Sequence, residues 1–356
     1  MSSNSNANNA SGAAMSPSPE IAPLAHGGDL DAARKLFSGA PEPFLDLSAG
    51  INPYHYPIPH FQPDVFTRLP QPEALAKLVA VAAEAYDAPS PAHVAAGPGS
   101  QILVTQTAFL LARGRASVLA PTYTEHGRVA ELAGHNVVEM AEVEQLADAR
   151  IAIVVNPNNP DGRVVAKDTL LALADRLRRR GGVLLVDEAF MDVGPDGASL
   201  GEYVEQGNIV VLRSFGKFYG LPGVRLSFAL AAPNIAARLA VALGPWPVSS
   251  AAIALGTEAL ADSAWRDAAR KALAEAAGRL DALLARTGLN LIGGTSLFRL
   301  VRTSEAARLF QTLGEAGILV RRFTEHPTWL RFGLPGGESD WQRLERALAP
   351  FATSQT

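Results

Sequence analysis

The residues best suited to chemistry gather at the ends of three apolar runs. "IVVL" (209–212) leads into "RSFGKFYGLPGVRL" (213–226), where Lys217 stands between two aromatic residues and among glycines. The other lysines, Lys35, Lys77, Lys167 and Lys271, fall in charged or amphipathic helical stretches or at the start of one, where a solvated role is the default. A lysine with a depressed pKa keeps some neutral amine, which can form a Schiff base with a carbonyl cofactor. Ser214, three residues earlier, and Arg225, eight residues later, offer a hydroxyl and a guanidinium suited to a phosphate on that cofactor. "GVLLV" (182–186) leads into "DEAF", where Asp187 can keep a pyridine nitrogen protonated. "IAIVV" (151–155) leads into "NPNNPDG". Taken singly, each cluster also reads as something plainer: a lysine snorkelling beside aromatics, a helix cap, a tight turn. Three in succession, each where a strand ends, are harder to assign to coincidence, because open parallel sheets bind ligands at that edge.

The elements that must position these residues follow from hydrophobic pattern. Short Val/Ile/Leu-rich runs beginning at Ser117, Ile151, Gly182 and Ile209 alternate with amphipathic stretches such as 101–113 and 168–180, the second ending in basic residues and "GG". That alternation predicts an α/β fold, a mostly parallel sheet sandwiched by helices. From about residue 251 the pattern becomes one long Ala/Leu/Arg helix to about 287. Short strands at "SLFRLV" and "WLRFGL" with a helix between them follow, predicting a smaller α+β domain. The expected division is a disordered tail (1–20), an N-terminal segment joining the small domain (21–51), a large cofactor-binding domain (52–250) and a small C-terminal domain (251–356).

Composition narrows the function classes. The chain has 356 residues, 48% hydrophobic, enough for a large core. Its net charge of −4 is spread over interspersed acids and bases, so nothing suggests nucleic acid or an anionic membrane. With no cysteine, disulfides, thiolate metal sites and a cysteine nucleophile are excluded, and no metal is expected in the site. The first twenty residues lack a basic start and an apolar core, and no stretch offers about 18 uninterrupted apolar residues. A cytoplasmic location is compatible with all of this.

These motifs, in this order, resemble the fold-type I pyridoxal-phosphate enzymes of the class I/II aminotransferase superfamily, over about residues 22–349. The resemblance implies pyridoxal 5'-phosphate as cofactor, with Lys217 as its covalent lysine and Asp187 at the ring nitrogen. It implies Asn159 at the ring hydroxyl and Tyr123 of "APTYTEH" stacked on the ring. "GPGSQ" would open a helix whose amides at Ser100 and Gln101 face the phosphate, joined by Ser214 and Arg225. Arg331 in "WLRFGL" matches the arginine that binds the substrate carboxylate. Two departures stand out: the usual "NPTG" is "NPDG", and the tyrosine common after "DEA" is Phe190, which removes one donor to the ring hydroxyl.

Within the superfamily, "HGGDLDAARKLF" and "LDLSAGINPYHYP" resemble the threonine-phosphate decarboxylases of cobalamin synthesis. That likeness implies decarboxylation of L-threonine O-3-phosphate to (R)-1-amino-2-propanol O-2-phosphate, with His26, Gly27, Asn52, Asn159, Arg321 and Arg331 contacting the substrate. It implies a homodimer as well. The alternatives are a histidinol-phosphate aminotransferase, which shares fold, cofactor and a phosphorylated substrate, and a non-catalytic relative of the same fold. The intact set Lys217, Asp187, Asn159 and Arg225 argues against the last.

Overall fold

The computed structural model describes residues 26–352, so the expectation of a disordered tail at 1–20 lies outside the described residues. Leu45–Asp46 (β1) forms a short parallel pair discussed below. The central sheet takes seven strands: Val94–Gly97 (β2), Arg115–Leu119 (β3), Asn136–Met140 (β4), Ile151–Val155 (β5), Val183–Asp187 (β6), Ile209–Ser214 (β7) and Ser227–Ala231 (β8). Their order is β2-β8-β7-β6-β5-β3-β4. Strands β4, β3, β5, β6 and β7 run parallel, whereas β8 is antiparallel to both β7 and β2. The apolar runs are continuous because both faces of the sheet are covered. Alternate side chains feed two separate cores: Ala152, Val154, Leu184, Val186 and Val211 pack on one side, Ile151, Ile153, Leu185, Val210 and Leu212 on the other.

A second sheet is formed by Asn290–Thr295 (β9), Phe298–Arg302 (β10), Arg321–Arg322 (β12) and Trp329–Gly333 (β13), all antiparallel in the order β12-β13-β10-β9. Ile318–Leu319 (β11) pairs in parallel with β1, and Arg343 donates to the carbonyls of Pro41 and Pro43. The N-terminal segment is thereby bonded to the C-terminal part of the chain.

Two sequence expectations are revised. The helix foreseen from about 251 to 287 is two helices, Ser250–Ala261 and Ser263–Arg286. Asp262 separates them by leaving helical geometry and accepting a hydrogen bond from the Trp265 amide, 2.9 Å away, as an N-cap. The helix foreseen at 101–113 ends at Leu110.

The turn that follows β5 meets β9 backbone to backbone. A Cβ on Gly162, whose φ is +72°, would lie 2.0 Å from the carbonyl oxygen of Gly294, and one on Gly293 would lie 2.0 Å from that of Asp161. Only glycine allows the "NPDG" turn to press this closely on β9.

Candidate active site

At the carboxyl ends of β5, β6 and β7, capped by β12 and β13, lies a cavity of about 280 Å³. Lys217 enters it from the short helix Phe215–Phe218 that follows β7. The turn carrying the lysine is pinned from outside: the Asn52 amide donates to the Lys217 carbonyl at 3.0 Å and Asn52 Nδ2 to the Phe218 carbonyl at 2.8 Å. From below, Tyr219 stacks on Phe215, 4.3 Å between centroids, and on Trp265, 5.5 Å. Burial, helped by the cationic Arg331, pushes the Lys217 amine down to about 8, against the pull of Asp187. Its Nζ lies 5.7 Å from the centre of the Phe190 ring, where a tyrosine hydroxyl is missing.

Asp187 closes the floor at the end of β6, 5% exposed. Its Oδ1 accepts from the Ala189 amide at 3.0 Å and its Oδ2 lies 2.8 Å from Nε2 of the fully buried His126. The other His126 nitrogen, Nδ1, is buried without a partner. An Nε2–H tautomer therefore satisfies the carboxylate and leaves only an acceptor unpaired. Tyr123, whose hydroxyl donates to Gln101 Oε1 at 3.2 Å, lines the wall, and burial pushes its pKa up to about 12.

The helix Ser100–Leu110 presents its N-terminus to the same end of the sheet, with Ser100 lining the cavity. A Cβ on Gly99, φ +99°, would lie 2.2 Å from Arg225 Nη2. The guanidinium of Arg225 thus occupies the space a side chain would fill, beside amides that point outward. A cation and a helix N-terminus together make an anion cradle. Arg225 itself adopts φ +53° and donates to the Pro222 carbonyl at 3.2 Å.

Behind these groups lies a buried ion network. Arg213, the residue before Ser214, bonds Glu188 at 3.0 Å and Asp192 at 2.9 Å, and Glu188 accepts from Ser199 Oγ at 2.7 Å and the Leu200 amide at 2.8 Å. Burial alone would lower the Arg213 pKa, but Asp192 and Glu188 hold it above its ordinary value. Glu188 follows Asp187, so the network ties together the ends of β6 and β7.

The roof is cationic. Arg331, 5% exposed on β13, donates to Asn159 Oδ1 at 2.5 Å and to the Ser48 carbonyl at 2.6 Å, and its Nε is buried without a partner. Burial and the neighbouring Arg321 push its guanidinium down to about 9, still cationic at neutral pH. Burial likewise lowers Arg321. Among the described residues, neither arginine has a carboxylate within ion-pairing distance. His26 and Gly27 border the same cavity, and a Cβ on Gly27 would lie 2.5 Å from the Ser48 carbonyl oxygen.

Of the residues singled out in the sequence, Ser100, Tyr123, Asn159, Asp187, Lys217, His26, Gly27, Arg321 and Arg331 share this cavity. Asn52 does not: it is 2% exposed and its side chain is used within the protein, including an acceptor bond from the Tyr54 amide at 2.7 Å. Gln101, Ser214 and Arg225 do not line the cavity, and Arg225 is exposed. His126 and Glu125 were missed, although both sit in "APTYTEH". The available signal was proximity, since His126 falls three residues after Tyr123, in the first turn of the helix that follows it.

The sequence model described as aminotransferase class I and II matches residues 67–348. A threonine-phosphate decarboxylase from Sinorhizobium sp is 42% identical over 332 residues, spanning 92% of this chain and 98% of the relative. Another, from Pseudomonas aeruginosa, is 41% identical over 331 residues with the same coverage. Among solved structures, histidinol-phosphate aminotransferase from Sinorhizobium meliloti in complex with pyridoxal-5'-phosphate superposes with a TM-score of 0.78 at 20% identity, covering 96% of this chain and 98% of that one. That likeness is one of fold.

Proposed function

This chain belongs to the aminotransferase class I and II family, and from that premise we propose that it is a pyridoxal-phosphate-dependent decarboxylase of L-threonine O-3-phosphate, acting in cobalamin synthesis. The observation that carries the substrate reading is the pair of arginines. Arg321 and Arg331 both face the cavity, and among the described residues neither has a carboxylate within ion-pairing distance, with Glu325 on the cavity wall and Asp46 acting on them only from further off. A buried guanidinium without an ion pair is costly unless a ligand completes it, and buried Arg331 with half-buried Arg321 beside it suits a substrate bearing both a carboxylate and a phosphate.

The residues present fit the cofactor. Lys217 offers an amine at about 8, about a tenth of it neutral at pH 7 against well under a thousandth for an ordinary lysine. Asp187 offers a buried carboxylate held by His126, and Arg225 with the Ser100 helix offers an anion cradle. In this reading Lys217 holds the cofactor covalently, Tyr123 packs on its ring, Asn159 donates to its hydroxyl, and Ser100, Gln101, Ser214 and Arg225 bind its phosphate. Bound pyridoxal phosphate supplies an electron-accepting ring that takes up the electron pair left when CO2 departs. Asp187 would keep a proton on the ring nitrogen, and His126 orients the Asp187 carboxylate. His26, Gly27, Arg321 and Arg331 bind the two anions of the substrate and thereby orient its Cα substituents. Asn52 acts by fixing the lysine turn. Once freed by the substrate amine, Lys217 Nζ returns a proton to Cα, replacing the lost carboxylate.

The same reading makes the protein a cytoplasmic homodimer. Exposed Tyr54, Ile58, Phe66 and Leu69 crowd one stretch of chain, and Trp246 is also exposed, which suits a surface covered by a second copy. Among the described residues no helix is long and apolar enough to cross a membrane. We also assign residues 21–51 and 251–356 to the small domain and 52–250 to the large one, as the β1–β11 pairing supports. The deciding experiment incubates the purified protein with L-threonine O-3-phosphate, with and without 2-oxoglutarate, and measures CO2. CO2 release independent of the oxo acid supports the proposal. Consumption of histidinol phosphate only with an oxo acid, and no CO2 from phosphothreonine, overturns it in favour of an aminotransferase.

A further inference from the structure

Glu125 is a buried carboxylate to which no role has yet fallen. It opens the helix Glu125–Leu132, is 7% exposed, and touches groups from three parts of the chain. Its Oε2 accepts from Gln101 Nε2 at 3.0 Å, on the helix of the anion cradle. Its Oε1 lies 3.3 Å from Arg128 Nη1, one turn along its own helix, and 3.4 Å from Nε2 of His26, in the N-terminal segment. Among the described residues His26 is otherwise loosely held: its side chain is 45% exposed, and its other contact is the Tyr123 ring at 6.2 Å, itself tied through Gln101 to Glu125.

We propose that Glu125 is a positioning residue for substrate selectivity, a carboxylate that latches His26 over the cavity and fixes which ring nitrogen the substrate meets. The inference rests on the reading of this cavity as a site for a phosphorylated amino acid. With Nε2 turned to Glu125, Nδ1 is the nitrogen left for a ligand. A carboxylate behind His26 also opposes any anion that His26 and the arginines do not receive, so it acts on selectivity as well as orientation. Glu125 lies on the large domain and His26 on the segment bonded through β1 to β11, so the contact spans the two parts that enclose the site.

The informative change is Glu125→Gln, which keeps shape and the bond to Gln101 but removes the charge facing His26. A part-exposed charged contact is modest in strength, so KM for L-threonine O-3-phosphate should rise roughly 5-fold while kcat and pyridoxal-phosphate affinity stay within about 2-fold. In a His26→Ala background the same change should alter KM by less than about 2-fold, because a residue acting through His26 has nothing left to act on. Hydrogen exchange of the holoenzyme should show faster exchange in residues 26–30 for Glu125→Gln, with the central strands unchanged. Equal KM effects in both backgrounds, or weakened cofactor binding in place of a KM effect, would show that Glu125 acts by a route other than His26 and overturn the proposal. If the wild type fails to decarboxylate phosphothreonine, the substrate reading fails by itself. The exchange measurement then still decides the latch, and unchanged exchange at 26–30 refutes it.

Discussion

Replacing Lys217 with methionine should make the cofactor-free protein more stable, by an amount that depends on pH. Methionine keeps the length and apolar stem of lysine and removes the amine. In the folded protein the amine titrates at about 8, against an ordinary 10.5, because burial and Arg331 disfavour its charge. The depressed pKa means that the unfolded chain binds more protons between pH 8 and pH 10.5, so wild-type stability from this group is complete above 10.5 and is lost as pH falls toward 8. Below that window the penalty is constant at about 3 kcal/mol, from 2.5 pKa units at about 1.4 kcal/mol each. Urea unfolding of both apo-proteins should therefore show Lys217→Met ahead by about 3 kcal/mol at pH 7, about 2 at pH 9 and under about 0.5 near pH 10.5. The buried tyrosines also titrate in alkali, but they are common to both proteins and cancel in the difference. A difference that does not change between pH 7 and pH 10.5 would mean that Lys217 is an ordinary solvated ammonium, and the case for its neutral amine would collapse.

His126→Phe should leave Asp187 without its partner while filling the same space. A hydrogen bond to a charged group is worth about 1.5–3 kcal/mol, so kcat/KM should fall roughly 10- to 150-fold with borohydride labelling of Lys217 retained; steady-state assay alongside peptide mapping checks both. Gly162→Ala forces a left-handed φ on a residue with a Cβ and drives that Cβ toward the Gly294 carbonyl. A loss of about 1–3 kcal/mol in urea unfolding is expected, with an unchanged midpoint counting against a close backbone contact. Arg213→Met strips the buried Glu188 and Asp192 of their shared cation and should cost about 3–5 kcal/mol in the same assay; a change under about 1 kcal/mol would show that the network is hydrated.

The sequence by itself determined the family and where along the chain its candidate site residues lie. Strands β5, β6 and β7 are legible because buried parallel strands are continuous apolar runs, and Asn159, Asp187 and Lys217 are legible because each lies within a few residues of such a run. Turn, cap and strand preferences act over that same short range, so local pattern suffices. What tertiary structure decided is everything that joins distant parts of the chain. Arg331 meets Asn159 across 172 residues, Asn52 reaches the Phe218 carbonyl across 166, and His126 finds Asp187 across 61. Nothing near Asn52 in sequence distinguishes a substrate contact from a brace under the lysine turn. Glu125, likewise, looks like an ordinary first-turn acid until His26 is folded against it. Such pairings are fixed by how two sheets and the N-terminal segment pack, a balance of many buried contacts that no short window of residues contains.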